Sequence, residues 1–228
     1  EKDLALDFTQ RFNIHYEALT GRAPFTTREN DIFITLTGRA KLANSLGAAL
    51  LSFHLNASNK KGKGVEAFTS RGQTKSDPWA TALLEAFVME NPDIAERFDL
   101  SDGDPDKEAS FTVLSKTKNE AVLFELGFID NPHDIKYLGD QEWRERNAYV
   151  LAYATAKYFG DLQKGLREYL PTVEENPRET KKSEWCRERD IDWQIHKLKQ
   201  LFDPASPLAR REFNDRLRSI KYLAMQKP

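Results

Sequence analysis

Apolar side chains recur at every fourth position at the start of the chain, with Leu4, Phe8 and Phe12 on one stripe. That period predicts an amphipathic helix. Residues 14–34 are mixed and give no clear element. Thr35 then precedes LTGRAKLANSLG, a predicted helix that stops at Gly47, the residue type favoured just past a helix end. The period changes to two over AALLSFHLNAS, residues 48–58. Leu51, Phe53 and Leu55 fall on one face, and Ser52, His54 and Asn56 on the other. This reads as a mostly buried strand with His54 and Asn56 at its carboxyl end. A loop, 59–64, and a second short strand, VEAFTS (65–70), follow. Asp77-Pro78 opens a helix striped by Trp79, Leu83 and Phe87, which Asn91-Pro92 ends or kinks. After a polar, Asp-rich loop (99–110), FTVLS (111–115) is expected to be a strand. AVLFELGF (121–128) is a continuous apolar strand interrupted by one charge, Glu125. Asn131-Pro132 marks a turn. Residues 140–160 form a helix with Trp143, Val150, Leu151, Ala154 and Tyr158 on its buried side.

Strands alternating with helices predict an α/β fold with a largely parallel sheet, extending to about residue 170. The carboxyl end of such strands is where ligands sit, which draws attention to His54. Beyond Pro171 the composition shifts. VEENPRETKKSEWCRERD has almost no apolar content and reads as a charged linker. Two stripes follow, Ile191, Ile195, Leu198 and Phe202, then Phe213, Leu217, Ile220 and Leu223. Asp203-Pro204 and Ser206-Pro207 separate them, so a helical hairpin is expected over 191–225. The chain thus divides into a domain over 1–170 and an extension over 171–228. The stripes of the hairpin need cover, either on the domain itself or from a partner, a second copy or the surface on which the protein acts.

Composition narrows the class. The chain has 228 residues, 31% charged, and its 14 Phe, 7 Tyr and 4 Trp can fill a core, which excludes a disordered chain. Lys plus Arg (34) nearly balances Asp plus Glu (36), so the surface is not that of a nucleic-acid binder. The charge is uneven: 161–228 holds 15 basic against 12 acidic side chains, and 1–160 holds 19 against 24. A single cysteine, Cys186, excludes an intrachain disulfide and a Cys-rich zinc site. No apolar stretch reaches the roughly 18 residues of a membrane span. The chain opens at Glu1 in mid-pattern, which reads as a chain lacking its true start; a signal peptide is therefore not observable.

Three residues carry candidate chemistry. Glu125 stands inside an apolar strand, where an unpaired carboxylate is costly and calls for a partner, a metal or a raised pKa. His54 occupies the polar face of a strand end, which suits either a structural histidine or a ligand. Glu1 alone says little, since acidic residues are common in a first helical turn.

Taken together, TTREND (26–31), LTGRAKLAN (36–44), SFHLNAS (52–58), GVEAF (64–68) and VLFELGFIDNPHD (122–134) resemble the zinc-dependent N-acetylmuramoyl-L-alanine amidases in order and spacing. The S-x-H-x-N-A and E-x-G-F-x-x-N pieces carry most of the likeness, which covers roughly residues 1–170. The resemblance implies a zinc ion held by His, Glu and His at the carboxyl edge of a twisted sheet with helices on both faces. It assigns Glu1 and His54 as ligands and Glu125 as the catalytic carboxylate. The first ligand histidine would belong to a D-x-G-H-G segment ahead of Glu1, which this sequence does not contain. His15, His133 and His196 lack the context to replace it. Asn56 and Glu66 are candidates for lining the substrate site, and Arg28 and Arg39 read as structural ion-pairing residues. The implied reaction is hydrolysis of the amide between N-acetylmuramic acid and L-alanine in peptidoglycan, by water activated on zinc. That places the protein in the bacterial envelope, or makes it phage-encoded and delivered to the wall. The alternative is a non-catalytic peptidoglycan-binding module with an incomplete zinc site.

Overall fold

A computed structural model describes residues 1–163. The linker and hairpin expected over 171–228, and His196, lie outside the described residues. Four helices of two turns or more and four strands organise the rest. Helix α1 (Lys2–Thr20) runs further than its first stripe and ends at Gly21, left-handed with φ 73°. Helix α2 (Leu36–Leu46) starts as expected, with the Thr35 hydroxyl accepting from the Gly38 N–H, and ends on left-handed Gly47. Strand β1 (Leu50–Asn56), strand β2 (Glu66–Thr69) and helix α3 (Asp77–Glu90) follow. Then come β3 (Lys107–Glu108), the single turn α4 (Thr112–Ser115) and β4 (Ala121–Phe128). A short α5 (Asp134–Leu138) leads into α6 (Gln141–Tyr158).

The sheet order is β1-β4-β2-β3. β1 pairs with β4 and β2 with β3 in parallel, whereas β2 and β4 are antiparallel. The sheet is therefore mixed, with two parallel pairings of three. FTVLS is not a strand: Thr112–Ser115 close a helical turn, with the Ser115 N–H donating to the Phe111 carbonyl at 2.9 Å. The reason is tertiary. In this turn Val113 and Leu114 are both buried against Ala121 and Leu123, with Leu50 and Phe68 beside them.

Residues opposite one another in register share a face, so the pairing sorts the sheet into two sides. Phe53 and Phe124 are partners on one side. Phe8 and Phe12 of α1 meet Phe53 edge-on, with centroids 4.9 and 5.3 Å apart, and Phe87 of α3 meets Phe124 at 5.5 Å. Each such ring contributes roughly 1.5–3 kcal/mol by leaving water. The other side carries Leu50–Ala121, Ser52–Leu123–Phe68 and His54–Glu125–Glu66 as successive rows. Val113 and Leu114 cover the first two rows. The third row is all ionisable.

Candidate active site

The row His54–Glu125–Glu66 crosses three adjacent strands. Glu125 is the one residue of β4 that is not fully buried. Its Oε2 is shut away from water and has no hydrogen-bond partner among the described residues. Burial pushes its carboxyl up, the neighbouring His54 draws it back, and the negative neighbours Glu1 and Glu66 push it further, to about 7. A carboxyl in that range both accepts and donates a proton near neutrality.

His54 and Glu1 meet across the sheet edge, with Nδ1 3.0 Å from the Glu1 carboxylate oxygen Oε1. A carboxylate only accepts, so Nδ1–H donates. The hydrogen bond from His54 holds the Glu1 carboxyl below its usual range. On the far side of the ring, Nε2 lies 3.0 Å from the Ser52 hydroxyl. Period-two alternation is what brings Ser52 and His54 to one face, so the strand carries a histidine together with the group that orients it.

Glu66, also in this row, is nearly inaccessible and tied down. Lys107 Nζ lies 2.7 Å from its Oε2, Arg97 Nε 2.5 Å from its Oε1, and the Asn56 amide donates to Oε1 at 3.3 Å. Asn56 also turns its carbonyl Oδ1 back to the Ala57 N–H at 2.7 Å, so it holds the strand-end loop. That loop is braced from the segment after β4. Asp130 accepts from the Lys60 N–H (2.9 Å) and from the Ser58 N–H. Asn131 donates to the Gly62 carbonyl (2.7 Å), and Asp134 accepts from Gly64 (2.7 Å) and Phe128 (3.0 Å). Gly64 sits at φ +96°, and a Cβ there would lie 1.9 Å from the Ala95 carbonyl, so no other residue fits.

Other candidates lie elsewhere. His15 faces Glu145 between α1 and α6, and His133 lies against Asp134 with its ring largely exposed. Arg28 and Arg39 were expected to pair with carboxylates; their hydrogen bonds go instead to the backbone carbonyls of Lys2, Asn30 and Ile34. Arg97 and Lys107 escape a reading by pattern, because they reach Glu66 from 31 and 41 residues away. Asn131 reads as a turn residue and as the last position of the E-x-G-F-x-x-N piece, with Asp130 beside it; neither reading shows that the alternation of acceptors and donors after β4 holds the loop.

One imidazole and one carboxylate sharing a proton at 3.0 Å form a donor set that suits zinc once that proton is lost. The Ser52 hydroxyl would then steady the ring through its other nitrogen. Among the described residues no third His, Cys, Asp or Glu joins them to complete a metal cluster. The residues present thus fit two positions of the set.

Comparison with known proteins shows which family the chain belongs to. The family model described as N-acetylmuramoyl-L-alanine amidase matches residues 1–156. YqiI of Bacillus subtilis is 26% identical over 161 residues, 70% of this chain and 74% of that protein. The N-acetylmuramoyl-L-alanine amidase CwlM of Bacillus licheniformis is 32% identical over 134 residues, 58% of this chain but only 49% of its own length. Among solved structures, the N-acetylmuramoyl-L-alanine amidase AmiC2 of Nostoc punctiforme superposes with a TM-score of 0.62 at 25% identity. That match covers 70% of this chain and 84% of the other.

Proposed function

The chain belongs to the N-acetylmuramoyl-L-alanine amidase family, and from that premise we propose that it hydrolyses the amide joining N-acetylmuramic acid to L-alanine in peptidoglycan. Glu125 is the general base, and Glu1 and His54 are two ligands of a zinc ion whose third is a histidine ahead of Glu1. The observation that carries this reading is the Glu125 carboxylate. It is largely buried, unpaired at Oε2 and shifted to about 7, one strand away from the His54–Glu1 pair. When bound, zinc would polarise the scissile carbonyl and acidify water.

The chain's own residues do the rest. Glu125 takes the proton of the attacking water and returns it to the nitrogen of the departing L-alanine. Its apolar neighbours in β4 keep bulk water from levelling its affinity for that proton. Ser52 fixes the His54 ring, and Asn56 with the braced 57–64 loop shapes the rim. The protein acts at the bacterial cell wall, as the cell's own hydrolase or as one supplied by a phage. No described helix is long and apolar enough to cross a membrane.

The test is digestion of isolated peptidoglycan by the zinc-loaded protein. New amino termini on L-alanine are expected, abolished by chelation and restored by zinc. Activity that persists in excess chelator, in protein shown to hold no zinc, would contradict the proposal. Binding to peptidoglycan without any such termini would favour the non-catalytic module.

A further inference from the structure

Glu66 shows more cationic partners than it needs. Its side chain is only 4% exposed, and a carboxylate taken that far out of water requires a counter-charge. Lys107 supplies one at 2.7 Å, and Asn56 adds a neutral donor. Arg97 is a second cation on the same carboxylate. It is the more accessible of the two, 38% exposed against 25% for Lys107.

Two contacts fix the Arg97 guanidinium. Nε meets Glu66 Oε1 at 2.5 Å, and the ring of Phe128 lies beneath Cζ at 5.1 Å. Because the bond to Glu66 uses Nε, the two terminal nitrogens have no hydrogen-bond partner among the described residues. The fork also lies at the site. It shares Glu66 Oε1 with Asn56, which stands two residues beyond His54, and Glu66 is the register partner of Glu125.

An oriented guanidinium with free terminal donors matches a carboxylate in two parallel hydrogen bonds. We propose that Arg97 binds a carboxylate on the peptide part of the substrate and so selects acidic over amidated stem peptides, an inference that rests on the amidase reading above. The sugar side of the scissile bond offers hydroxyls and neutral amides, and its lactyl carboxyl is consumed in that bond. The peptide side is where carboxylates remain. Glu66 is then a positioning residue, acting through Arg97.

The experiment uses the zinc-loaded full-length protein and two synthetic muramoyl peptides. They differ only in whether the carboxyl nearest L-alanine is free or a carboxamide. The acid should be cleaved with kcat/KM higher by about tenfold or more, mostly through KM, the scale of a charge-assisted pair. Arg97→Gln should bring the acid down to the amide's value, and Arg97→Lys should recover part of the difference. Calorimetry of the released peptide in its acid and amide forms, on unaltered protein, reads the same preference without turnover or a variant. Tighter binding of the acid supports the inference. Equal affinity, or equal kcat/KM, overturns it. Failure to cut either peptide would overturn the amidase reading, while the calorimetric preference would still decide the role of Arg97.

Discussion

Two regions bury a glutamate in opposite company. Between α1 and α6, Glu145 faces Arg11, whose Nη1 lies 2.6 Å from Oε2, and His15, 3.0 Å from Oε1. Arg11 and Arg144 also clasp Asp7 at 2.9 and 2.6 Å. Burial alone would raise the Glu145 carboxyl, but the hydrogen bonds and charge of His15 and Arg11 outweigh it and pull it down to about 2. On β4, between β1 and β2, Glu125 is largely buried with no cation bound to it and two carboxylates nearby, and burial carries it to about 7. Desolvation acts the same way in both places. The seam adds cations and makes its glutamate a permanent anion that holds two helices together. The site withholds them and leaves a carboxyl able to change its proton.

The comparison breaks most visibly at the sheet edge. His54→Ala should remove a ligand, so metal analysis should find little zinc and peptidoglycan hydrolysis should fall by at least about a hundredfold. At the seam the effect should appear in stability. Arg144→Met strips the nearly buried partner of Asp7, which also donates to the Leu138 carbonyl at 2.7 Å. Unfolding in denaturant should show a loss of about 1–3 kcal/mol, with turnover of the folded fraction unchanged.

A pH series sharpens the same contrast. A folded-state pKa of about 2 for Glu145, below the ordinary 4.5, means the unfolded chain binds its proton first. The stability that Glu145 contributes is therefore full above about pH 4.5 and is lost as pH falls from there toward 2. Glu145→Gln should flatten that limb of the stability curve; an unchanged acid limb would contradict the assignment. Thr35→Ala, which removes a helix cap and no contact of either glutamate, should cost about 1 kcal/mol and touch neither the acid limb nor zinc content.

Much of this was legible in the chain. Phe8, Phe12, Phe53 and Phe87 lie on the stripes that their periods predicted, and a charge inside AVLFELGF pointed to Glu125. His54 stood out because alternation set it among polar residues. The losses have a common cause. FTVLS looks like a strand because Val and Phe suit one, yet packing beneath Leu123 and Phe68 decided for a helical turn. Lys107 and Glu108 look like loop, and became β3 through register with Phe68 and Thr69. Glu1 was meaningful only through family resemblance, and Arg97 only once a distant carboxylate was seen beside it. Short-range period finds the elements and their faces. It does not find what reaches those faces from elsewhere in the chain.

The central claim is that Glu125 moves a proton and does not hold the metal. Zinc content and turnover, measured on one preparation of Glu125→Gln, test it most directly, since glutamine keeps the shape and removes the proton acceptor. The account predicts zinc bound as in the unaltered protein and hydrolysis lower by roughly a hundredfold or more. Near-normal turnover, or loss of zinc as in His54→Ala, would contradict it.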